Sequence, residues 1–222
     1  MRELTVDLFC TVDGWASGRN SPAYFGYAGP DIQAWIDEQL ARPHVMLMGS
    51  NTYRAMAEIT AGGGDSTFTR MDELPKVVFS KSLAPPLSWT NTTLVREDVA
   101  VAVPKMKNEP GGPLRVIGSL TLVRSLFRLG QVDRLRLMMF PQVLGQSGQE
   151  RILQDLPDVN LRLISTQVLD QRLVLLDYRV AYGGLGTAGQ NPPTGLLFPE
   201  EVRTEWTSSS GCWTPTRRSA GR

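Results

Sequence analysis

The stretch VIGSLTLVRSLFRLGQVDRLRLMMFPQVLGQSG, residues 116–148, contains the elements that decide the fold. LRVIG at 114–118 predicts a short strand, and in the following SLTLVRSLFRLG the apolar residues recur at helical spacing up to Gly130, a residue type common after a helix. VDRLRLMMFPQVLG at 132–145 predicts a longer strand. Strands joined through a helix usually run parallel in one sheet, so this stretch predicts a β-α-β unit.

The same alternation of strands and helices extends towards the N-terminus. Strands are predicted at 3–10, 44–49, 76–80 and 92–95, and helices at 31–41, 51–59 and about 97–107. Two further strands at 159–169 and 172–182 are separated by Asp170-Gln171, which favours an antiparallel hairpin. Together these elements predict an α/β fold with a mostly parallel central sheet, an antiparallel C-terminal hairpin and helices on both faces.

The composition changes near residue 183. Of the 40 residues from 183 to 222, 21 are Gly, Pro, Ser or Thr, a mixture typical of loops and linkers. We therefore expect a domain over 1–182 and a C-terminal extension over 183–222. The extension includes GLGTAG at 184–189, which fits a dinucleotide-binding fingerprint, but Pro192-Pro193 is incompatible with the helix that this fingerprint requires.

Charge and residue types exclude several classes of function. The 23 basic and 22 acidic residues nearly cancel, which disfavours nucleic acid and anionic membranes as partners. No apolar run is long enough to cross a bilayer, and the charged N-terminus does not look like a signal peptide, so we expect a cytoplasmic protein. With only Cys10, Cys212 and His44 available, a disulfide scaffold or a zinc site is not expected, and no metal is predicted.

Small or hydroxylated residues follow three of the predicted strands. These segments are Gly49-Ser50-Asn51-Thr52, Ser80-Lys81-Ser82 and Gly118-Ser119-Leu120-Thr121. The amides at a helix N-terminus bind phosphate, and glycine lets the backbone approach a ligand closely. Ordinary helix capping produces the same residue types, so each segment alone fits either interpretation. Three of them at one edge of a sheet favour a ligand with several phosphates.

Two carboxylates are candidates for acid catalysis. Asp13 lies in TVDGW at the end of the first strand, and Asp31 follows Pro30 at the start of a helix. Asp13 next to Gly14 is also a common turn pair, and Asp31 also suits the positive end of the helix dipole. Nearby aromatic residues could stack on a flat heterocyclic substrate: Trp15, Tyr24, Phe25, Tyr27 and Trp35.

Several of these segments together match a known family. They are TVDGW at 11–15, LMGSNTYRAM at 47–56, KVVFSKSL at 76–83, the block at 116–148 and LLDYR at 175–179. Over about 1–182 the chain resembles the dihydrofolate reductase-like superfamily, and more closely the reductase domain of the bifunctional riboflavin-pathway deaminase-reductase. Since no H-x-E or C-x-x-C deaminase element is present, the resemblance is to a stand-alone reductase.

The resemblance implies NADPH as the cofactor and assigns residues to its binding. Gly49 and Thr52 would lie near its phosphates, and Ser80 and Lys81 near the adenosine 2′-phosphate. The pyrophosphate would lie along Gly118, Ser119, Leu120 and Thr121. The riboflavin-pathway branch suggests Asp13 as the acid and dihydrofolate reductases suggest Asp31, with Trp15, Tyr24 and Phe25 on the substrate side.

Two functions are consistent with these residues. The first is an NADPH-dependent reductase that transfers a hydride to a small heterocyclic substrate, such as a pterin or flavin precursor, or to a carbonyl compound. The second is a non-catalytic nucleotide-binding module on the same fold, suggested by Ser50 in the place where many relatives have arginine. The resemblance also implies a homodimer through the β-rich C-terminal part, for which the apolar run LRLMMF at 135–140 would be suitable.

Overall fold

The structure is a computed structural model that describes residues 1–61 and 66–183. The glycine-rich loop expected at 62–64, the GLGTAG segment and the rest of the extension after residue 183 lie outside the described residues.

The described residues form ten strands and five helices. The strands are β1 Leu4–Thr11, β2 Trp15–Gly18, β3 Val45–Gly49, β4 Lys76–Phe79, β5 Thr92–Val95, β6 Leu114–Ile117, β7 Arg134–Phe140, β8 Gly148–Arg151, β9 Asn160–Leu169 and β10 Leu173–Ala181. The helices are α1 Pro30–Ala41, α2 Ser50–Ala61, α3 Ser66–Glu73, α4 Val99–Asn108 and α5 Leu120–Arg128.

Eight of the strands form one sheet in the order β5-β4-β3-β6-β1-β7-β10-β9. The strands from β5 to β7 are parallel, and β10 pairs antiparallel with both β7 and β9. At the hairpin Asp170 and Gln171 have φ values of 51° and 54°, the left-handed pair that closes a tight two-residue turn. The predicted α/β class, with its mostly parallel sheet and antiparallel hairpin, is confirmed.

The sheet order decides which strand ends meet. β4, β3 and β6 are neighbours and parallel, so their carboxyl ends lie side by side at one edge. These are the ends that lead into the Ser80, Gly49 and Gly118 segments. Since ligands of parallel sheets bind beyond the carboxyl ends of the strands, this edge is where a site is expected.

The apolar run at 135–140 lies in the middle of the sheet. Its strand, β7, pairs with β1 on one side and β10 on the other, and Leu135, Met138 and Phe140 are at most 1% exposed. The suggestion that this run provides a dimer surface is therefore wrong, because its apolar side chains are already used in the core.

Three elements were missed by the sequence patterns. β2 and β8 pair with each other as a small antiparallel sheet, with Trp15 opposite Arg151, and α3 precedes β4. WASG and GQER show no alternation of apolar and polar residues, and their pairing joins residues 130 to 136 positions apart. No helix within residues 1–61 or 66–183 is long and apolar enough to cross a membrane.

Candidate functional site

A cavity of about 1030 Å³ opens at the predicted edge of the sheet. Its lining comes from the ends of β3 and β6, from the first turns of α2 and α5, from β1 and from one face of α1. The lining includes polar, charged, aromatic and glycine residues from these elements: Asp7, Phe9, Tyr24, Trp35, Gln39, Gly49, Ser50, Thr52, Arg115, Gly118, Ser119, Leu120, Thr121, Leu122 and Glu150. The cavity has the size of a small-molecule or cofactor site.

Two helices begin at this cavity with unpaired backbone amides. In α5 the first helical hydrogen bond is donated by the Val123 N–H to the Ser119 carbonyl at 3.0 Å. The N–H groups of Leu120, Thr121 and Leu122 come before it and therefore have no carbonyl partner within the helix. Gly118 and Ser119 have φ values of 62° and 52°, a left-handed pair that turns the chain sharply from β6 into the helix. The N-terminus of α2 also contributes to the lining. Unpaired amides and the helix dipole suit an anion.

One side chain connects the two helix starts. The Ser119 hydroxyl accepts a hydrogen bond from the Gly49 N–H at 2.8 Å and donates one to Thr52 Oγ1 at 2.7 Å. Ser119 therefore does not cap its own helix. It fixes the spacing between the β3–α2 and β6–α5 turns, so that both sets of amides are presented to the same cavity.

Six of the eight predicted cofactor residues thus lie in one cavity lining: Gly49, Thr52, Gly118, Ser119, Leu120 and Thr121. The other two, Ser80 and Lys81, line a second cavity of about 430 Å³ that shares Phe79, Val99 and Ser125 with the first. The residues predicted from three separate strand ends therefore surround two adjoining cavities.

The second cavity has cations that the sequence patterns did not single out. Arg96 and Arg128 line it together with Lys81, and so do two carboxylates, Glu97 and Asp98. Arg96 donates to the carbonyls of Lys81 at 2.9 Å and Leu83 at 2.7 Å, while the Ser80 hydroxyl accepts the N–H groups of Ser82 and Leu83. Ser80 and Arg96 hold the turn, and the Lys81 side chain is exposed at the cavity.

Asp13 does not line either described cavity. Its carboxylate accepts the Thr11 hydroxyl at 2.6 Å and the backbone N–H groups of Leu144 at 3.2 Å and Gly145 at 2.9 Å. The hydrogen bond from Thr11 and those from the two amides lower the pKa of Asp13 to about 2, against the effect of burial. The geometry supports the turn interpretation: Asp13 connects the β1–β2 turn to the chain after β7.

Asp31 also lies outside the cavity lining. Its carboxylate accepts the Asp170 N–H at 2.7 Å, while the Asp170 carboxylate accepts the N–H groups of Asp31 at 2.8 Å and Ile32 at 3.1 Å. These reciprocal bonds cap α1 and attach it to the β9–β10 turn. For Asp31 too, the helix-capping interpretation is the one that the geometry supports.

The carboxylate at the cavity floor is Asp7, which the sequence patterns did not identify. It accepts hydrogen bonds from Nε and Nη2 of both Arg115 and Arg136. Arg115 Nε lies 2.9 Å from Asp7 Oδ2, and Arg136 Nε lies 2.6 Å from Asp7 Oδ1. Burial raises the pKa of Asp7, but the charges of the two guanidinium groups outweigh it and lower the pKa below 3.8. Asp7 is therefore an ionised acceptor, and it has no proton to give at neutral pH.

The aromatic residues divide into two groups. Tyr24 and Trp35 line the large cavity together with Phe9, and the Arg136 guanidinium lies 5.3 Å from the centre of the Trp35 ring. Trp15 lies outside the described lining and stacks with Arg151 at 4.1 Å. Phe25 is 6% exposed and packs against Phe140 in the core. Of the three predicted substrate residues, only Tyr24 is at the cavity.

Metal ligands are not grouped in the described ranges: no three or more His, Cys, Asp or Glu side chains are placed to hold a metal ion there.

Solved structures share this fold at low sequence identity. A pyrimidine reductase-like protein from Corynebacterium diphtheriae has a TM-score of 0.59 at 13% identity, over 82% of this chain and 93% of that one. Dihydrofolate reductase from Enterococcus faecalis, solved in complex with NADP(H), has a TM-score of 0.53 at 11% identity, over 80% of this chain and 96% of that one. The fold is dihydrofolate reductase-like.

Sequence comparison gives the family. "Uncharacterized protein YyaP" of Bacillus subtilis (strain 168) is 25% identical over 183 residues, which cover 80% of this chain and 94% of that protein. A model of the RibD C-terminal domain matches residues 2–175. Since this match includes β1 to β9 and the first three residues of β10, the chain belongs to the RibD C-terminal domain family.

Proposed function

We propose that the protein is an NADPH-dependent reductase of a small heterocyclic or carbonyl substrate. The observation that carries the proposal is the pair of helix N-termini, α2 and α5, which open into one large cavity beside a second one that Lys81 lines. The dihydrofolate reductase with a similar fold was solved with NADP(H), which supports the same cofactor class.

The residues present fit such a cofactor. The amides of Leu120, Thr121 and Leu122 and the first turn of α2 would hold the pyrophosphate, and Lys81 would bind a 2′-phosphate. A Cβ on Gly118 would come 3.5 Å from Thr52 Oγ1, so the glycine leaves open the space between the two helix starts. When bound, NADPH supplies a hydride for a C=N or C=O group.

The protein's own contribution is then binding, orientation and exclusion of water. Phe9, Tyr24 and Trp35 provide aromatic surface for a flat acceptor. The reduction also needs one proton, and Asp7 stays ionised. Glu150, the other carboxyl group in the described lining, is exposed on β8, so solvent is the proton source that this cavity offers.

A non-catalytic nucleotide-binding module remains the second candidate. It is favoured by one observation: Asp13 and Asp31, the two carboxylates expected to act as acids, are both held in structural contacts outside the cavity. Such a module would bind NADPH and never oxidise it.

Titration of the full chain with NADPH and NADH, followed by tryptophan fluorescence, tests the proposal. Micromolar binding with a preference for NADPH is expected. If neither nucleotide binds, both candidate functions are wrong. If NADPH binds, its absorbance at 340 nm is followed in the presence of pterins, flavin precursors and small carbonyls. A decrease indicates a reductase, and a constant absorbance indicates the non-catalytic module.

We also propose a homodimer formed along β9, the outer strand of the sheet. Leu161, Leu163 and Val168 are opposite Val180, Tyr178 and Val174 of β10, and therefore share one face. They are 40%, 53% and 67% exposed. Among the described residues no strand pairs with the outer edge of β9, and an open edge with exposed apolar residues favours association with a second copy. A monomeric mass by light scattering would contradict this.

A further inference from the structure

The floor of the large cavity contains more positive than negative charge. Asp7, Arg115 and Arg136 are 7%, 8% and 7% exposed, and they carry one negative and two positive charges. His44 lies close enough to interact with all three, but burial lowers its pKa, so it is neutral at pH 7. Glu150, the remaining charged residue of the described lining, is exposed on β8. The cluster of Asp7, Arg115 and Arg136, of which Asp7 and Arg115 line the cavity, therefore has a net charge of +1.

The floor also offers unused hydrogen-bond donors. Each guanidinium group has five N–H bonds, and three of each are used: four in total on Asp7, one on the Gln39 carbonyl and one on Gln39 Oε1. Asp7 accepts three of its four hydrogen bonds at Oδ2 and one at Oδ1, so most of its acceptor capacity is used.

Gln39 completes the set of donors. Its Oε1 accepts from Arg136 Nη1 at 2.6 Å, and because arginine can only donate, this bond fixes the orientation of the amide. The Gln39 Nε2 group is then a donor, and within the described residues it has no acceptor. Gln39 and Arg115 both line the cavity.

Building on the reductase proposed above, we propose that the substrate is a flat aromatic or heteroaromatic compound that carries a C=N or C=O group to accept the hydride and an ionised carboxylate, whose oxygens are bound by Arg115 and Gln39. The carboxylate compensates the excess positive charge of the cluster, and its lone pairs accept the unused N–H groups of Arg115 and Gln39. Phe9, Tyr24 and Trp35 line the same cavity and suit a flat ring attached to the carboxylate.

The same chemistry disfavours another substrate class. A 2-amino-4-oxo heterocycle such as a pterin presents adjacent N–H donors on its edge. Where they face Arg115 and Gln39 they would meet N–H groups, and buried donors without acceptors are costly. An ionised acid has the opposite, complementary pattern.

Isothermal titration of the full-length protein with 2-naphthoate and 2-naphthamide tests this. The two probes have nearly the same shape, and only the first carries a negative charge. We expect 2-naphthoate to bind about tenfold or more tightly than 2-naphthamide at neutral pH. Equal affinity for the two, or no binding of either at millimolar concentration, would overturn the proposal.

The variant Gln39→Glu neutralises the floor without removing any residue of the Asp7 cluster. Its carboxylate can still accept from Arg136, so the fold should be retained, which circular dichroism checks. We expect the affinity for 2-naphthoate to fall about tenfold and that for 2-naphthamide to change by less than about threefold. Gln33→Glu is the matched control: it adds the same charge on the same helix and in the same lining, away from the arginines.

If Gln33→Glu weakens 2-naphthoate as much as Gln39→Glu does, the effect is one of overall charge and the assignment to the floor is wrong. NADPH titration of the same preparations is a separate readout. If the wild-type protein does not bind NADPH, the proposed function is wrong. If it binds NADPH but shows no preference for 2-naphthoate over 2-naphthamide, only the substrate class is wrong.

Discussion

Replacing Asp7 by asparagine removes the charge that compensates two buried guanidinium groups, and we expect this single change to lower thermal stability sharply. The asparagine side chain has almost the same shape, but it keeps only one acceptor oxygen and brings an NH2 group against the N–H groups of Arg115 and Arg136. Both arginines are less than a tenth exposed, so water can replace few of the hydrogen bonds and little of the charge compensation that the Asp7 carboxylate provides.

The magnitude follows from the burial. Breaking a buried ion pair by removing one partner costs about 3–5 kcal/mol. In a domain of 150–250 residues, each kcal/mol lowers Tm by about 2–4 °C, so Asp7→Asn should lower Tm by about 6–20 °C. Thermal unfolding followed by circular dichroism at neutral pH measures this directly.

Asp13→Asn is the matched control. Asp13 also accepts several hydrogen bonds, but all its donors are neutral and it is more exposed to solvent. Its effect on Tm should be clearly smaller than that of Asp7→Asn. If Asp7→Asn unfolds within about 2 °C of the wild type, the charge at the floor is solvated and the reasoning above is wrong.

Acid should reproduce part of this loss. The pKa of Asp7 is lower in the folded protein than in the unfolded chain, so its contribution to stability is complete above the unfolded value of about 4. The contribution is lost as the pH falls through the lower, folded pKa. The Tm of the wild type should therefore decrease below about pH 4 more steeply than that of Asp7→Asn, which has no carboxylate to titrate there.

Three further predictions concern the cofactor site and the start of α1. Thr121→Asp should keep the fold, because a carboxylate suits the first turn of a helix, but it should lower the affinity for NADPH about tenfold or more by repelling the phosphates. The neutral Thr121→Asn should keep the affinity within about threefold of the wild type, and a fluorescence titration measures both. Lys81→Ala should weaken NADPH by about 1–2 kcal/mol and leave NADH nearly unchanged, and an equal loss for both would contradict a 2′-phosphate contact. Gly29→Ala should lower the free energy of unfolding by about 1 kcal/mol, because its Cβ would fall on the Asp170 carboxylate that caps α1. In the Asp170→Ala background this carboxylate is gone, so Gly29→Ala should have little further effect in denaturant unfolding.

Much of the half of the site that is proposed to bind phosphate could be predicted from local sequence. Glycine and hydroxylated residues directly after a buried strand are short-range signals, and the parallel order of β4, β3 and β6 then brings those signals to one edge. The link from Ser119 to Gly49 and Thr52 could not be predicted, because it joins residues 70 and 67 positions apart.

The acid candidates show why local patterns fail for single polar residues. Asp13 beside a glycine and Asp31 at a helix start fit catalysis and capping equally well in the sequence. The distinction depends on what faces each carboxylate, and the partners are Leu144, Gly145 and Asp170, which lie more than 130 residues further along the chain.

The sequence by itself determined the α/β architecture, the hairpin and the position of the turns proposed to bind phosphate, because periodicity and turn chemistry act over a few residues. Only the tertiary structure decided what lies at the floor of the cavity. Asp7, Arg115 and Arg136 each look like a charged interruption of an apolar strand, and they belong together because β1 lies between β6 and β7. Charge compensation acts through space, over separations of 108 and 129 residues here, and it has no signature in the local sequence.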